Sequence, residues 1–355
     1  MSEPNWESAE LGHRLRVEMT DAMRHEDTLG RLDVSEAFGS ITMDATTNTI
    51  AQASINCPDW NQWIENSWIR IVHEIPEYDY RKVMGTFFVY SEGRSFEYGS
   101  TAASPSLYSS LKALSMDKVP NPIFVAEGAP ISKVFGALLN PFAKYRISPE
   151  CGEYYYTSTH VIDAGSSKMD AILSLCANVN WEYRLDGDGT IVFIPFKPYA
   201  SRPIAYTIDT RSTRSVVHEN TVKPEGSNRM TPGRSIVVWR GDGTDDEPVS
   251  AFADVTPDNV AAPQRRGYVV AELHELSDLN GDRTARNAAI YARKFLDKDS
   301  RVLRKWSMDT LWLPIEVGDC VQFRAEDEDE FKRTIVQYIE YDFSKWKLKL
   351  TLAEV

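Results

Sequence analysis

Asp186-Gly187-Asp188-Gly189 sets two carboxylates between two glycines, a spacing that can wrap a calcium ion. An EF-hand calcium loop needs oxygen ligands at its first, third and fifth positions and a bidentate acid at its twelfth. Counted from Asp186, the fifth position is Thr190 and the twelfth is Lys197, so a cation stands where the closing acid belongs. The flanking residues alternate apolar and polar, and the four residues read instead as a tight hairpin turn in which glycine supplies positive φ. The stretch beginning at Asp278 invites the same calcium reading and fails too, because its twelfth position is Ala289. There Asp282 or Thr284 is placed to cap a helix over 284–299. Gly-Asp-Gly-Thr-Asp-Asp at 241–246 is glycine-rich enough for a phosphate cradle, but its acids would repel phosphate.

Nucleophilic and metal chemistry find no better footing. His13, His25, His73, His160, His218 and His274 lie in no HExxH or HxH spacing. His73 sits on a strand between Val72 and Glu74, which suits a surface or packing role. Cys57, Cys151, Cys176 and Cys320 form no CxxC pair and read as plain buried thiols. No GxSxG, GxxxxGK[ST] or GxGxxG occurs. Glycoside cleavage needs only two carboxylates placed in space, and the aromatic runs Tyr154-Tyr155-Tyr156 and Trp60-Asn61-Gln62-Trp63 could stack on sugars. The plainer reading is packing for the aromatics and a solvated hairpin tip for Glu326-Asp327-Glu328-Asp329-Glu330. No catalytic, cofactor-binding or metal residue is assigned.

The composition points the same way. A net charge of -13 disfavours a grip on nucleic acid phosphates, which requires clustered Lys and Arg. Hydrophobic residues at 42%, with 9 Trp, 16 Tyr and 14 Phe, supply globular cores. The polar start MSEPNWESAE is no signal peptide, and no apolar run approaches a membrane span. A protein folded in a reducing cytoplasm is expected.

The elements that would position these residues are mostly strands. Leu15, Val17 and Met19 alternate with Arg14, Arg16 and Glu18. Short strands follow at close spacing, including WIRIVHEI and VMGTFFVYS around a turn at 75–82, and predict a small barrel or sandwich. After Pro105 the period becomes helical. Helices are expected in LYSSLKALSMD, in GAPISKVFGALLNPF, with Pro130 in the first turn and Pro141 helping to end it, and from Ser166 or Ser167 with Asp170 in the first turn. Trp181, Tyr183 and Leu185, then Ile191 and Phe193, form a hairpin around the Asp-Gly turn. The period returns to β in TRSVVHENTVKP and RSIVVWRG, breaks off, and resumes to the end of the chain, where Trp346, Leu348, Leu350 and Leu352 alternate with three lysines. The units near 68–90 and 318–341 echo one another.

In this order the elements resemble the tail hub proteins of long-tailed bacteriophages, and also the N-terminal part of tail-associated lysins and of type VI secretion spike proteins. The resemblance rests on IRIVHEI with RKVMGTFFVYS, on DAILSLCANVNWEYRLDGDGTIVFIP, and on the Pro314 to Val321 pattern P-x-x-x-G-D-x-V leading into RTIVQYIEYDFSKWKLKLTL. It implies a mainly β chain with an α+β insert. A first β-barrel-like domain would span 1–105. An α/β domain would span 106–203, with 241–302 returning to it. A second β-barrel-like domain would combine 204–240 with 303–355, and the two β domains should superpose. The resemblance further implies a homotrimer whose paired β domains make a ring of six. Its partners would be the tail tube, distal tail and tape measure proteins and tail fibre or spike proteins. Double-stranded DNA would pass through without specific binding. The location implied is the virion tail tip, after synthesis in the host cytoplasm, with no membrane insertion, cofactor or enzymatic role. With the sequence ending at Val355 straight after its last strand, the hydrolase of the lysin branch is not expected. Subunits are expected to meet through barrel edges, with KWKLKLTL as one candidate edge. The alternatives are a carbohydrate-binding or carbohydrate-cleaving tail-tip protein and the hub part of a secretion spike.

Overall fold

A computed structural model of the chain describes residues 4–8, 11–21, 28–32, 39–47, 51–57, 68–91, 93–97, 100–139, 143–156, 159–212, 215–218, 221–225, 231–240, 247–259, 261–276, 283–299 and 304–355. The N-terminal strands are β1 (Arg14–Thr20), β2 (Thr28–Leu32), β3 (Ser40–Asp44), β4 (Ala51–Ser54), β5 (Trp68–Ile75) and β6 (Tyr80–Ser91). A small hairpin of β7 (Arg94–Glu97) and β8 (Ser100–Ala103) precedes β9 (Ser106–Tyr108). They pair antiparallel in the order β2-β1-β5-β6-β9-β4-β3. The period-two pattern holds: Val17 and Met19 of β1 and Ile69 and Ile71 of β5 enter one core, while Arg14 and Arg16 stay outside it. A 3-10 turn at Pro76–Tyr78, with Asp79 left-handed at φ 51, closes the β5–β6 hairpin where a turn is expected.

The insert contains α1 (Ser110–Met116), β10 (Ile123–Val125), α2 (Ile131–Leu139), β11 (Tyr145–Ile147), β12 (His160–Ile162), α3 (Lys168–Val179), β13 (Trp181–Leu185) and β14 (Ile191–Pro195). Of the two serines expected to cap α3, Ser167 does so: its Oγ accepts the Asp170 N–H at 3.1 Å, and Asp170 lies in the first turn. The helix stops at Asn180, left-handed at φ 56, and Trp181 begins the hairpin. Met169, Ile172, Leu175 and Cys176 of α3 pack with Phe135, Trp181 and Phe193 in a core of the insert's own. Pro130 stands just before α2, and Pro141 lies outside the described residues.

The remaining strands are β15 (Ile204–Asp209), β16 (Lys223–Glu225), β17 (Arg234–Trp239), β18 (Val249–Asp254), β19 (Ala271–Leu276), β20 (Lys305–Leu311), β21 (Cys320–Arg324), β22 (Lys332–Asp342) and β23 (Lys347–Glu354). The helices are α4 (Pro263–Arg266) and α5 (Ala285–Asp299). Strand β22 pairs with β3, so the strands from both ends of the chain lie in one 13-stranded sheet over one shared core. The echoing stretches are both antiparallel hairpins, β5–β6 and β21–β22.

Four expectations are corrected. RSIVVWRG does not join the sheet of 303–355: β17 pairs with β18 and, in parallel, with β19. The described residues of 241–302 do not join the core of 106–203. They supply β18, β19 and α5, which close over Val237, Trp239, Leu276, Ala288 and Ala292 as a separate layer. Among its described residues, TRSVVHENTVKP makes a bridge from Val217 to Thr310 and enters the short β16. KWKLKLTL is not an edge, because β23 pairs with β20 on one side and β22 on the other. Leu348, Leu350 and Leu352 are buried as their alternation requires, while Trp346 sits in the preceding turn at φ 52.

Candidate functional site

The Asp186–Gly189 segment joins β13 to β14. The Gly189 N–H donates to the Asp186 carbonyl at 2.9 Å, and the Thr190 carbonyl accepts from the Asp186 N–H at 2.9 Å. Gly189 has φ +86, the left-handed conformation expected of one of the two glycines in a turn with a bulge. Gly187 is needed for a different reason. A Cβ there would lie 2.0 Å from the Val83 carbonyl oxygen of β6. The turn presses its backbone against the first β half, where Thr86 Oγ1 of β6 donates to the Gly187 carbonyl at 2.8 Å, while Ser110 Oγ of the insert's own α1 donates to that of Gly189 at 3.3 Å. The segment is therefore a clasp between insert and sheet.

The two acids serve that turn. The Asp188 carboxylate accepts from the Thr190 N–H and the Thr190 hydroxyl, both at 3.0 Å. Asp186 faces Arg146 at 3.4 Å, and burial, then the Asp188 charge, raises its carboxyl above the usual range. Replacing both by Asn is expected to change stability by less than about 1 kcal/mol. Wild type and variant should melt at the same temperature with calcium or with chelator. A calcium-dependent rise in either would contradict the clasp.

A cavity of about 400 Å3 opens beside the clasp, lined in part by Lys82, Glu182, Arg184, Asp186, Arg202 and Glu316. A raised carboxyl in a cavity is the feature a general acid shows. Here the other acids are neutralised by the chain itself: Glu182 lies 2.6 Å from Arg202 and Glu316 lies 2.6 Å from Lys82. The arrangement is a charged seam. Among the described residues, no three His, Cys, Asp or Glu come together as metal ligands.

The other candidates scatter. Tyr156 is buried, Tyr154 meets the Trp181 ring edge-on and Tyr155 is 60% exposed. Trp60-Asn61-Gln62-Trp63, Gly241 to Asp246, Asp278, Asp282 and His25 lie outside the described residues. Thr284 is the cap, accepting the Asn287 N–H at 3.2 Å. Glu326 to Glu330 form the tip between β21 and β22, as expected. All four cysteines are buried thiols outside any disulfide, and burial pushes the Cys57 thiol up to about 12.

One cluster escaped the sequence reading. His73 is fully buried, and its Nε2 lies 2.9 Å from His13 Nδ1 at the start of β1. Trp312, Trp346 and Tyr80 box the pair in. The parity of β5 places His73 with Ile69, Ile71 and Ile75, which is the available signal for burial. Its partner sixty residues upstream left none. Burial, partly offset by Glu77, lowers His13 to about 4, and burial with the charges of His13 and Lys82 lowers His73 to about 3. Unfolded imidazoles titrate near about 6.5. Between that value and about 4 the unfolded chain binds more protons, so stability rises with pH in this window and is complete above it. His73 alone supplies at most about 1.4 kcal/mol per pH unit. The melting temperature should fall from pH 7 to pH 5, and a His13→Gln/His73→Gln variant should lose most of that slope. An unchanged slope in the variant would dismiss the pair as its source.

No protein family's sequence model matches the chain, and no curated protein sequence does. Solved structures do. The tail protein from Neisseria meningitidis MC58 matches at a TM-score of 0.69 and 13% identity, over 97% of each chain. The 43 kDa tail protein of prophage MuSo2 from Shewanella oneidensis matches at 0.68 and 11% identity, over 97% of this chain and 98% of that one. The fold is that of phage tail proteins. A Francisella PdpA–VgrG complex, in its half-lidded form, shares it at 0.54 and 9% identity, with 97% of this chain covering 58% of that chain. At these identities the likeness is one of fold. Within this tail-protein fold the clasp and the charged seam hold the insert against the sheet. No helix among the described residues is long and apolar enough to cross a membrane.

Proposed function

We propose that the chain is a structural hub protein at the distal end of a phage tail, acting as a homotrimer that rings the channel through which DNA is ejected. The observation that carries this reading is the end-to-end match to two tail proteins, each covered almost completely by a chain of this length. Each subunit would contribute its two β halves, 1–105 and 204–240 with 303–355 less the β17 strand, so that three subunits meet a sixfold tube. An acidic surface suits a channel for a polyanion, which slides where nothing binds it. The partners proposed are the tail tube, distal tail, tape measure and fibre or spike proteins, the location is the virion tail tip, and the role is not enzymatic. The ion pairs of Glu182 with Arg202 and of Glu316 with Lys82 favour a structural use of those two acids.

The likeness to the PdpA–VgrG complex favours one second reading, the hub part of a type VI spike. An assembled particle separates the two. A carbohydrate-binding tail-tip protein is separated by sizing of the purified complex with and without host-surface glycans. A ring of fixed size supports the hub, and a glycan-dependent shift defeats it.

A further inference from the structure

The outer face of β2-β1-β5-β6 has a charge opposite to that of the chain. Arg14 and Arg16 of β1, Arg31 of β2, Arg70 of β5 and Arg81 of β6 stand there with Glu18 and Glu74, among the described residues five cations against two anions in a protein of net charge -13. The registers place them side by side: Glu18 opposes both Arg31 and Arg70, and Glu74 opposes both Arg14 and Arg81. At the centre Glu18 is 1% exposed, bridged to Arg16, to Arg70 at 3.8 Å and to Arg81 at 3.6 Å. None of these contacts is a hydrogen bond to its carboxylate, and the Nε atoms of Arg16 and Arg70 are buried without hydrogen-bond partners. A guanidinium is best satisfied by a planar anion received on two N–H groups. Among the described residues two carboxylates face five such groups, of which Arg14, Arg31 and Arg81 are exposed and open to an acceptor from outside. The face also adjoins a free edge, since β2 pairs only with β1 among the described residues.

The same chain carries the missing anions elsewhere. The β21–β22 tip, Glu326 to Glu330, exposes Glu326, Asp327 and Glu330, with Asp329 97% exposed. Its own half supplies Arg211 to Asp329 at 3.4 Å and Arg304 to Glu328 at 2.6 Å. Strands β3, β4 and β9 stand between β22 and β6 in the sheet, so tip and arginine face belong to opposite halves of one subunit. Two complementary patches on different parts of one molecule make a heterologous contact, which repeats head to tail and can close into a ring.

We propose that the arginine face of each subunit receives the acidic 326–330 tip of the next copy. This rests on the trimeric reading and deepens it by naming the joint. It also moves the subunit contact from the internal β23 to the β2 edge. A carboxylate tip is favoured over nucleic acid because Glu74, partly exposed between Arg14 and Arg81, would repel a continuous phosphate backbone, whereas a short tip can place its acids beside the arginines alone.

The test uses the full chain. An Arg31→Cys/Asp327→Cys variant is oxidised and run under denaturing conditions, the four natural thiols being buried. Covalent chains that stop at three are expected, and neither single variant should give them. In parallel, sedimentation measures self-association. Arg31→Glu with Arg81→Glu should weaken it at least about tenfold, and mixing with a Glu326→Lys/Asp327→Lys/Glu330→Lys chain should restore it to within about threefold. Trimers that form in the wild type without the trap, and without rescue by charge exchange, would overturn this joint and leave the hub reading standing. Absence of wild-type association at every concentration, and within a co-expressed tail-tip complex, would overturn both. Retention of a short DNA duplex that depends on the arginines and is indifferent to the tip would also overturn the proposal, in favour of a phosphate ligand.

Discussion

Replacing Trp312 by alanine is expected to cost about 3–5 kcal/mol, the largest effect of any single substitution considered. Trp312 is 3% exposed, and its ring centroid lies 4.5 Å from that of His73, 4.9 Å from Tyr341, 5.6 Å from Trp346 and 5.8 Å from Phe343. These partners come from both β halves, His73 from β5 and Tyr341 from β22. Removing the indole opens a cavity where the halves meet and leaves the histidine pair without its wall. Trp312→Phe should cost less, because an aromatic surface remains. Urea unfolding checks the order. A loss below about 1 kcal/mol for the alanine variant would mean that the halves do not depend on this junction.

The second large effect belongs to Gly187. A methyl at this position meets the Val83 carbonyl at 2.0 Å, and a strand backbone cannot yield as a side chain can. The turn must lift off β6 and lose the Thr86 hydrogen bond. Gly187→Ala should cost about 1–3 kcal/mol from overpacking and about 1 kcal/mol from the lost bond. Gly189→Ala meets only ordinary contacts, the nearest being Thr86 Cβ at 3.5 Å, and its cost comes from the positive φ, about 1 kcal/mol. The order of the two losses is the sharper check: a larger loss at 189 than at 187 would make the segment a mere turn.

That contrast marks how far the sequence could be read. The helix, the hairpin and the turn over 165–193 were legible because each follows from local rules: a serine before the helix, period-two aromatics and Asp-Gly pairs. The clasp was not, because the need for Gly187 comes from Val83, about a hundred residues earlier. β17 shows the same limit. Ser235, Val237 and Trp239 alternate inward as a strand should, but alternation does not name the sheet, and the parallel partner β19 lies beyond a long polar stretch. KWKLKLTL looked like an edge because it ends the chain with lysines on one side. Its central place reflects the buried Leu348, Leu350 and Leu352, which need cover that an edge would share with solvent. The pairing of Glu316 with Lys82 was hidden for the same reason, since nothing local joins residues so far apart in the sequence.

The most direct test of the hub account is the copy number and arrangement of this chain in the native particle. An image of the tail tip, even at low resolution, should show three copies placed head to tail around a channel, with the β halves forming six similar lobes. One copy or six, or copies placed off the tail axis, would contradict it.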